Sequence, residues 1–96
     1  MKDMSIIRVN EFLSADGKSD ELHNFLKSLI PYISNSKGCT SCEVLKQKDA
    51  DNHFIVIERW ESIECHKQSI ANFPKEEMLS VMSIFGAPPK GNYYSA

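Results

Sequence analysis

The stretch from Gly38 to Ser62 constrains this chain more than any other part of it. Cys39 to Gln47 alternates as a strand does, Lys48-Asp49-Ala50-Asp51-Asn52 is a polar turn cluster, and His53 to Trp60 is rich in β-branched and aromatic residues. Ser62 stands where an N-cap belongs, ahead of a charged helical run. In the strand His53 to Trp60, Phe54, Val56, Glu58 and Trp60 share one face, and His53, Ile55, Ile57 and Arg59 share the other. Both faces carry large apolar side chains, whereas a sheet with one face in water alternates apolar and polar residues cleanly. The fold must therefore cover this strand on both sides.

The rest of the sequence supplies one cover. Ser5 to Phe12 reads as a first strand, with Ile7 and Val9 opposing Ile6 and Phe12. After the loop Ala15-Asp16-Gly17-Lys18, Ser19 is the expected N-cap of a first helix. Leu22, Phe25, Leu26, Leu29, Ile30 and Ile33 then form one apolar stripe at the helical period. Pro31 lies inside the stripe and predicts a kink or an early stop. A second helix is expected from Ile63 to Ala71, a break at Asn72-Phe73-Pro74, and a third helical stretch from Lys75 to Phe85 with Met78, Leu79, Met82 and Phe85 on one side. Gly86 to Pro89 is a stiff loop, and Tyr93-Tyr94 begins a last short strand. This order makes residues 1–96 a single α+β domain of the split βαβ, ferredoxin-like kind, an antiparallel sheet with its helices on one face. Those helices leave the other face bare, so a homodimer with sheets packed face to face is expected.

Composition removes several classes of function. The formal net charge is −2, with 25% charged and 42% hydrophobic residues. That balance suits an ordinary globular domain and argues against nucleic acid, which needs a net basic face. No run is apolar and long enough to span a bilayer, and Met-Lys-Asp-Met-Ser lacks the apolar core of a secretory signal. The cysteines number three, which does not suggest a secreted disulfide framework. A cytoplasmic protein is the expectation. Cys39-Thr40-Ser41-Cys42 has C-x-x-C spacing, but it enters a strand, where residues i and i+3 face opposite ways, so no redox or metal role is assigned to it. Cys65 reads as a small apolar residue of the second helix.

Gly38-Cys39, the acidic turn and Glu58-Arg59-Trp60-Glu61-Ser62 before the second helix resemble the antibiotic biosynthesis monooxygenase domain family, and the order of elements and the length agree over nearly the whole chain. The resemblance implies a dimeric α+β barrel and a monooxygenase that uses no metal or flavin, acting on a small quinol or phenol. Relatives of this kind include quinol and anthrone oxygenases, an isomerase of a signalling hydroxyketone and haem-degrading enzymes. The chain also departs from the pattern. Many such proteins carry a histidine about nine residues after the tryptophan, where this chain has Ser69, with His66 one turn earlier. The second tryptophan and the helical histidine of the haem-degrading branch fall near Ile70 and Leu79, which argues against haem cleavage.

Without a cofactor, the protein must deprotonate its substrate, shield the anion from water and hold it near oxygen. A base for that task needs a pKa near neutral and hydrogen-bond reach. Asn10, Glu58 and His66 are the candidates for polar catalytic roles, and Trp60, Phe54, Met78 and Met82 for the substrate pocket. Each has an ordinary alternative. Trp60 can be core with its N–H satisfied. Glu58 is either partly buried with a raised pKa or paired with a helix cation. Asn10, beside Arg8 and Phe12, either orients a quinol oxygen or makes a cross-strand pair. His66, His23 and His53 read first as surface or boundary residues, and Tyr93-Tyr94 as either a cover over the pocket or an exposed or interface segment. An isomerase on the same pocket and a non-catalytic ligand-binding or stress-response dimer are the competing functions.

Overall fold

The computed structural model describes residues 5–95; residues 1–4, part of the segment read above for a signal sequence, and residue 96 lie outside them. The elements are β1 (Ile6–Leu13), α1 (Ser19–Ser34), β2 (Cys39–Lys46), β3 (His53–Trp60), α2 (Ile63–Asn72), α3 (Lys75–Val81), a short 3₁₀ turn (Met82–Ile84) and β4 (Lys90–Ser95). The strands form one four-stranded sheet in the order β2-β3-β1-β4, and every pairing is antiparallel. This is the ferredoxin-like α+β arrangement expected from the sequence. No helix among the described residues is long and apolar enough to cross a membrane.

Burial follows the pleat. Along β3, Phe54, Val56, Glu58 and Trp60 are buried beneath the helices, while His53, Ile55, Ile57 and Arg59 on the other face are only partly so. The core consists of Leu22 and Leu26 from α1, Phe54 and Val56 from β3, and Ile84 from the 3₁₀ turn. Phe12, Phe25, Leu29, Val44 and Phe85 pack around it. The opposite face of the sheet carries Ile7, Val9, Ile55 and Ile57, with Leu45 and Tyr94 exposed at its two edges.

Local chemistry explains where the elements start and stop. The hydroxyl of Ser62 caps α2, accepting a bond from the Cys65 N–H at 3.2 Å. Gly38 has φ +87°, a left-handed conformation that favours glycine, and a β-carbon there would lie 2.5 Å from Cys65 Sγ. The α1–β2 turn can therefore close tightly against α2, and the Glu61 N–H donates to Gly38 O at 2.7 Å.

Three expectations are corrected. Ser19 is the first residue of α1, and Lys18 holds the N-cap position with no side-chain cap bond; the Ser19 hydroxyl donates instead to the Asp51 carbonyl in the β2–β3 turn. Pro31 neither stops nor shortens α1, which runs on to Ser34. It sits exposed in the last turn, where its ring meets solvent and its carbonyl still accepts from the Asn35 N–H at 3.1 Å. The third correction concerns the C-x-x-C segment. A bulge between Cys39 and Ser41 inserts one residue, so that Cys39 pairs with Trp60 and Cys42 with Glu58. Those partners share a face of β3, so Cys39 and Cys42 share one as well, rather than facing opposite ways. Burial raises the Cys39 thiol, and pushes that of Cys42 up to about 12, so both are protonated at neutral pH.

Leu26 is completely buried at the centre of the core. Leu26→Ala is expected to cost about 2–5 kcal/mol of unfolding free energy, read from urea denaturation. A loss below about 1 kcal/mol would mean that α1 does not seat on the sheet as described.

Candidate active site

The helix-facing side of the sheet changes character along its length. The rung that joins Phe12 to Phe54 is apolar core. Two residues further along β1, Asn10 stands opposite Val56 on one side and Gly91 on the other. Two residues beyond that, Arg8 lies between Glu58 and Tyr93. The period of two that builds the core at one end of these strands thus delivers four polar side chains, Arg8, Asn10, Glu58 and Tyr93, to the same face at the other end.

Glu58 is the centre of the group and is 4% exposed. The Trp60 indole N–H donates to its Oε1 at 2.8 Å, and the Asn10 amide donates to its Oε2 at 2.9 Å. Asn10 Oδ1 accepts from Arg8 Nε at 2.9 Å. Only one orientation of the amide satisfies both neighbours, so Asn10 is fixed between a cation and a carboxylate. Burial raises the Glu58 pKa above the usual carboxylate range, and the Trp60 bond, the Arg8 charge and the Asn10 bond act in the opposite direction. Glu58 is therefore not paired with a helix cation, the alternative read from the sequence; strand residues and the indole satisfy it.

His66 comes from α2. It was read first as a surface or boundary residue, yet it is 3% exposed, because the face of α2 that carries it turns onto β3 and β4. Its ring stands edge-on to both Trp60 and Tyr93. Nδ1 lies 2.7 Å from the Tyr93 hydroxyl, and Nε2 lies 3.7 Å from Glu58 Oε1. Burial and then the Arg8 charge lower the His66 pKa to about 4, so the ring is neutral at pH 7. With Nε2–H facing the carboxylate, Nδ1 is left to accept from Tyr93.

These groups line a cavity of about 650 Å³ between the sheet, α1, α2 and α3. Arg8, Asn10, Glu58, His66 and Ser69 give its polar wall, and Trp60, Tyr32, Phe73, Leu29 and Met78 are among its aromatic and apolar lining. Asn10, Glu58, His66, Trp60 and Met78 are thus brought together. Phe54 and Met82, expected in the pocket, are not among the lining residues. Phe54 is fully buried in the core against the His23 ring, and Met82 is 58% exposed in the 3₁₀ turn. His53 opens β3 at the end away from Trp60 and contacts Gln47 and Glu11. Ser69 is buried; its hydroxyl lies 2.8 Å from that of Ser36, and its carbonyl accepts from the Tyr32 hydroxyl at 2.7 Å. Among the described residues no group of three or more His, Cys, Asp or Glu side chains is placed to hold a metal ion.

Arg8 joins the candidate residues only once the strands are paired. The available signal was its period-two spacing with Asn10 and Phe12, which puts a cation on the inner face of an interior strand. Tyr93 was named, but its partner depends on the β4 register, which sequence does not reveal.

The family model described as antibiotic biosynthesis monooxygenase matches residues 5–72. No curated protein matches the chain in sequence. Among solved structures, SnoaB, a cofactor-independent oxygenase from Streptomyces nogalater, superposes with TM-score 0.80 at 15% identity, covering 97% of this chain and 93% of that one. Protein SO0527 from Shewanella oneidensis gives 0.84 at 24% identity, with 97% and 91% covered. A conserved protein from Methanosarcina mazei gives 0.83 at 22% identity, with 96% and 92% covered. At these identities the likeness establishes the fold.

The lowered His66 pKa has a sign that can be tested. Between pH 6.5, where His66 of the unfolded chain titrates, and about 4, where it titrates in the folded protein, the unfolded chain binds the extra proton. Stability contributed by neutral His66 is therefore full above pH 6.5 and falls with pH toward 4. Thermal unfolding of the wild type should lose midpoint across this window, and His66→Gln should flatten the slope by one proton. Parallel profiles for the two proteins would contradict a buried neutral His66.

Proposed function

We propose that this chain, which belongs to the antibiotic biosynthesis monooxygenase family, is a cofactor-independent monooxygenase acting on a small quinol or phenol. The observation that carries the reading is the Asn10, Glu58, Trp60 and His66 cluster, buried or half-buried and opening onto one largely apolar cavity. A binding module has no need of a buried carboxylate with a raised pKa, whereas a proton abstractor does.

Glu58 is the base. Each of its oxygens already accepts one hydrogen bond and keeps a second lone pair for a substrate hydroxyl. The apolar walls exclude water from the resulting anion, and the Trp60 face gives an aromatic ring a surface to stack on. Deprotonation makes the substrate electron-rich enough to reduce oxygen. One oxygen atom ends in the product and the other in water, with the electrons supplied by the substrate. His66 stands beside Glu58 in the cavity wall, its ring fixed by the Tyr93 hydroxyl.

The assembly belongs to the same proposal. Ile7, Val9, Ile55 and Ile57 form the centre of a sheet face that no helix among the described residues covers, and a second copy packed sheet to sheet removes that apolar area from water. The protein is then a homodimer in which each subunit keeps its own cavity on the helix side.

Oxygen uptake by chelator-treated protein with a panel of hydroquinones and anthrones tests the activity. Protein-dependent uptake is expected, falling roughly a hundredfold in Glu58→Gln; uptake untouched by that substitution sinks the assignment of the base, and no uptake across the panel counts against the oxygenase. Sedimentation at micromolar concentration tests the assembly. A dimer is expected for the wild type and a monomer for Ile57→Lys, and a monomeric wild type refutes the paired sheets.

A further inference from the structure

Arg8 and Glu58 are direct cross-strand partners, the arrangement in which opposite charges on neighbouring strands ordinarily pair. They do not pair here. The Asn10 amide stands between them, taking the Arg8 Nε–H on its oxygen and giving its own N–H to the carboxylate. The guanidinium turns instead toward β4, where its central carbon lies 4.7 Å from the centroid of the Tyr93 ring. It crosses directly over Gly91: a β-carbon at that position would come within 2.1 Å of Arg8 Nη2 and 2.6 Å of Asn10 Oδ1. The chain thus keeps a glycine where a side chain would displace the guanidinium, although no positive φ demands one there.

The consequence is an arginine with its fork held but unused. Nε is occupied by Asn10, and among the described residues neither terminal nitrogen of Arg8 has a hydrogen-bond partner. Arg8 lines the cavity, and so does Lys75, while Glu58 is the one acidic residue in the wall among the described residues. Glu58 has Trp60 and Asn10 on its oxygens and does not neutralise Arg8 by contact. Two parallel N–H donors at fixed spacing match a planar oxyanion in a bidentate pair, the geometry that favours arginine over lysine.

We infer that the substrate is an aromatic compound bearing a carboxylate on its ring, and that the terminal nitrogens of Arg8 clamp this group while Trp60 contacts the ring. The inference rests on the reading of this cavity as an aromatic substrate site and specifies which aromatics enter it. Arg8 then fixes the ring, through its acidic substituent, in one orientation with respect to Glu58. Neutral quinols lack that anchor and bind more weakly.

Trp60 is the sole tryptophan in the sequence and lies in the cavity wall, so its fluorescence reports ligands in the cavity directly. Two matched pairs are titrated against the full-length protein: gentisate with hydroquinone, and hydroxynaphthoate with naphthol. In each pair the carboxylate is expected to bind about tenfold tighter or better, a preference that weakens in added salt. Arg8→Gln should abolish the preference, and Arg8→Lys, which keeps the charge and loses the fork, should retain only part of it. Circular dichroism melts of both variants separate loss of the clamp from loss of the fold, and the wild-type comparison stands without either. Equal binding within each pair overturns the clamp and leaves the aromatic site intact. A preference that survives in folded Arg8→Gln also overturns it. Failure of all four compounds to quench Trp60 overturns the aromatic reading of the cavity and the clamp with it.

Discussion

A carboxylate buried on the middle of a sheet is the constraint on which the rest of this structure depends. Glu58 sits between Val56 and Trp60 on the inner face of β3, where three of the four alternate residues build the apolar interior. Removing an ionised carboxyl from water without partners costs several kcal/mol, more than a domain of this size can lose lightly. The compensation is local and comes from side chains already fixed by the sheet: the Trp60 indole on one oxygen, the Asn10 amide on the other and the neutral His66 ring beside them. Satisfied in this way, the carboxylate is tolerated without a direct ion pair, and its pKa is raised rather than lowered. An arginine paired face to face with it would have made the burial cheaper and pulled its pKa down.

That arrangement divides the domain into regions with different tasks. Around Phe12, Phe54, Leu22 and Leu26 the rungs of the sheet are apolar on the helix side, and α1 packs over them, burying Phe54 fully and Phe12 in part. Around Arg8, Glu58 and Tyr93 the same strands carry polar groups, and the last turns of α1 together with α2 and α3 border the cavity there. α3 buries none of its residues; Met78 and Leu79 border the cavity while 37% and 66% exposed. A short helix with so little buried surface shifts at small cost, and unbranched methionine adapts to what lies beneath it. Rigidity in the sheet and looseness in the cover leave the cavity a fixed polar floor and an adaptable wall.

How much of this the sequence disclosed depends on the range of the interaction. The apolar stripe of α1, the Ser62 cap, the turn after β2 and the alternation of β3 are local patterns and read directly. Glu58 and Trp60 were legible for the same reason, since a period of two places them on the face of Phe54 and Val56. The misreadings came where a neighbour decides. One inserted residue at Thr40 turned Cys39 and Cys42 onto the same face. Ser19 found a partner in Asp51, distant in sequence. His66 looks like a boundary residue in a charged helix, and only the seating of α2 against Trp60 and Tyr93 buries it. Phe54 shares a face with the site but stands two rungs too far into the core, a distinction that periodicity cannot make.

The position of Asn10 links the chemistry to the fold more closely than any other residue. Asparagine is a poor strand former, and at an interior position its amide must find both a donor and an acceptor or remain a liability. Here it finds Arg8 and Glu58, and in separating them it keeps each available: the carboxylate as a proton acceptor that no cation neutralises by contact, the guanidinium as a fork that no carboxylate occupies. With aspartate at this position the two nearby carboxylates would repel and the amide N–H to Glu58 would be lost; with leucine, Arg8 and Glu58 would close onto one another as cross-strand partners do. The amide, with a donor and an acceptor on one short side chain, holds a carboxylate and a cation apart on adjacent strands while satisfying both. It turns what would be a structural ion pair into two groups facing a cavity.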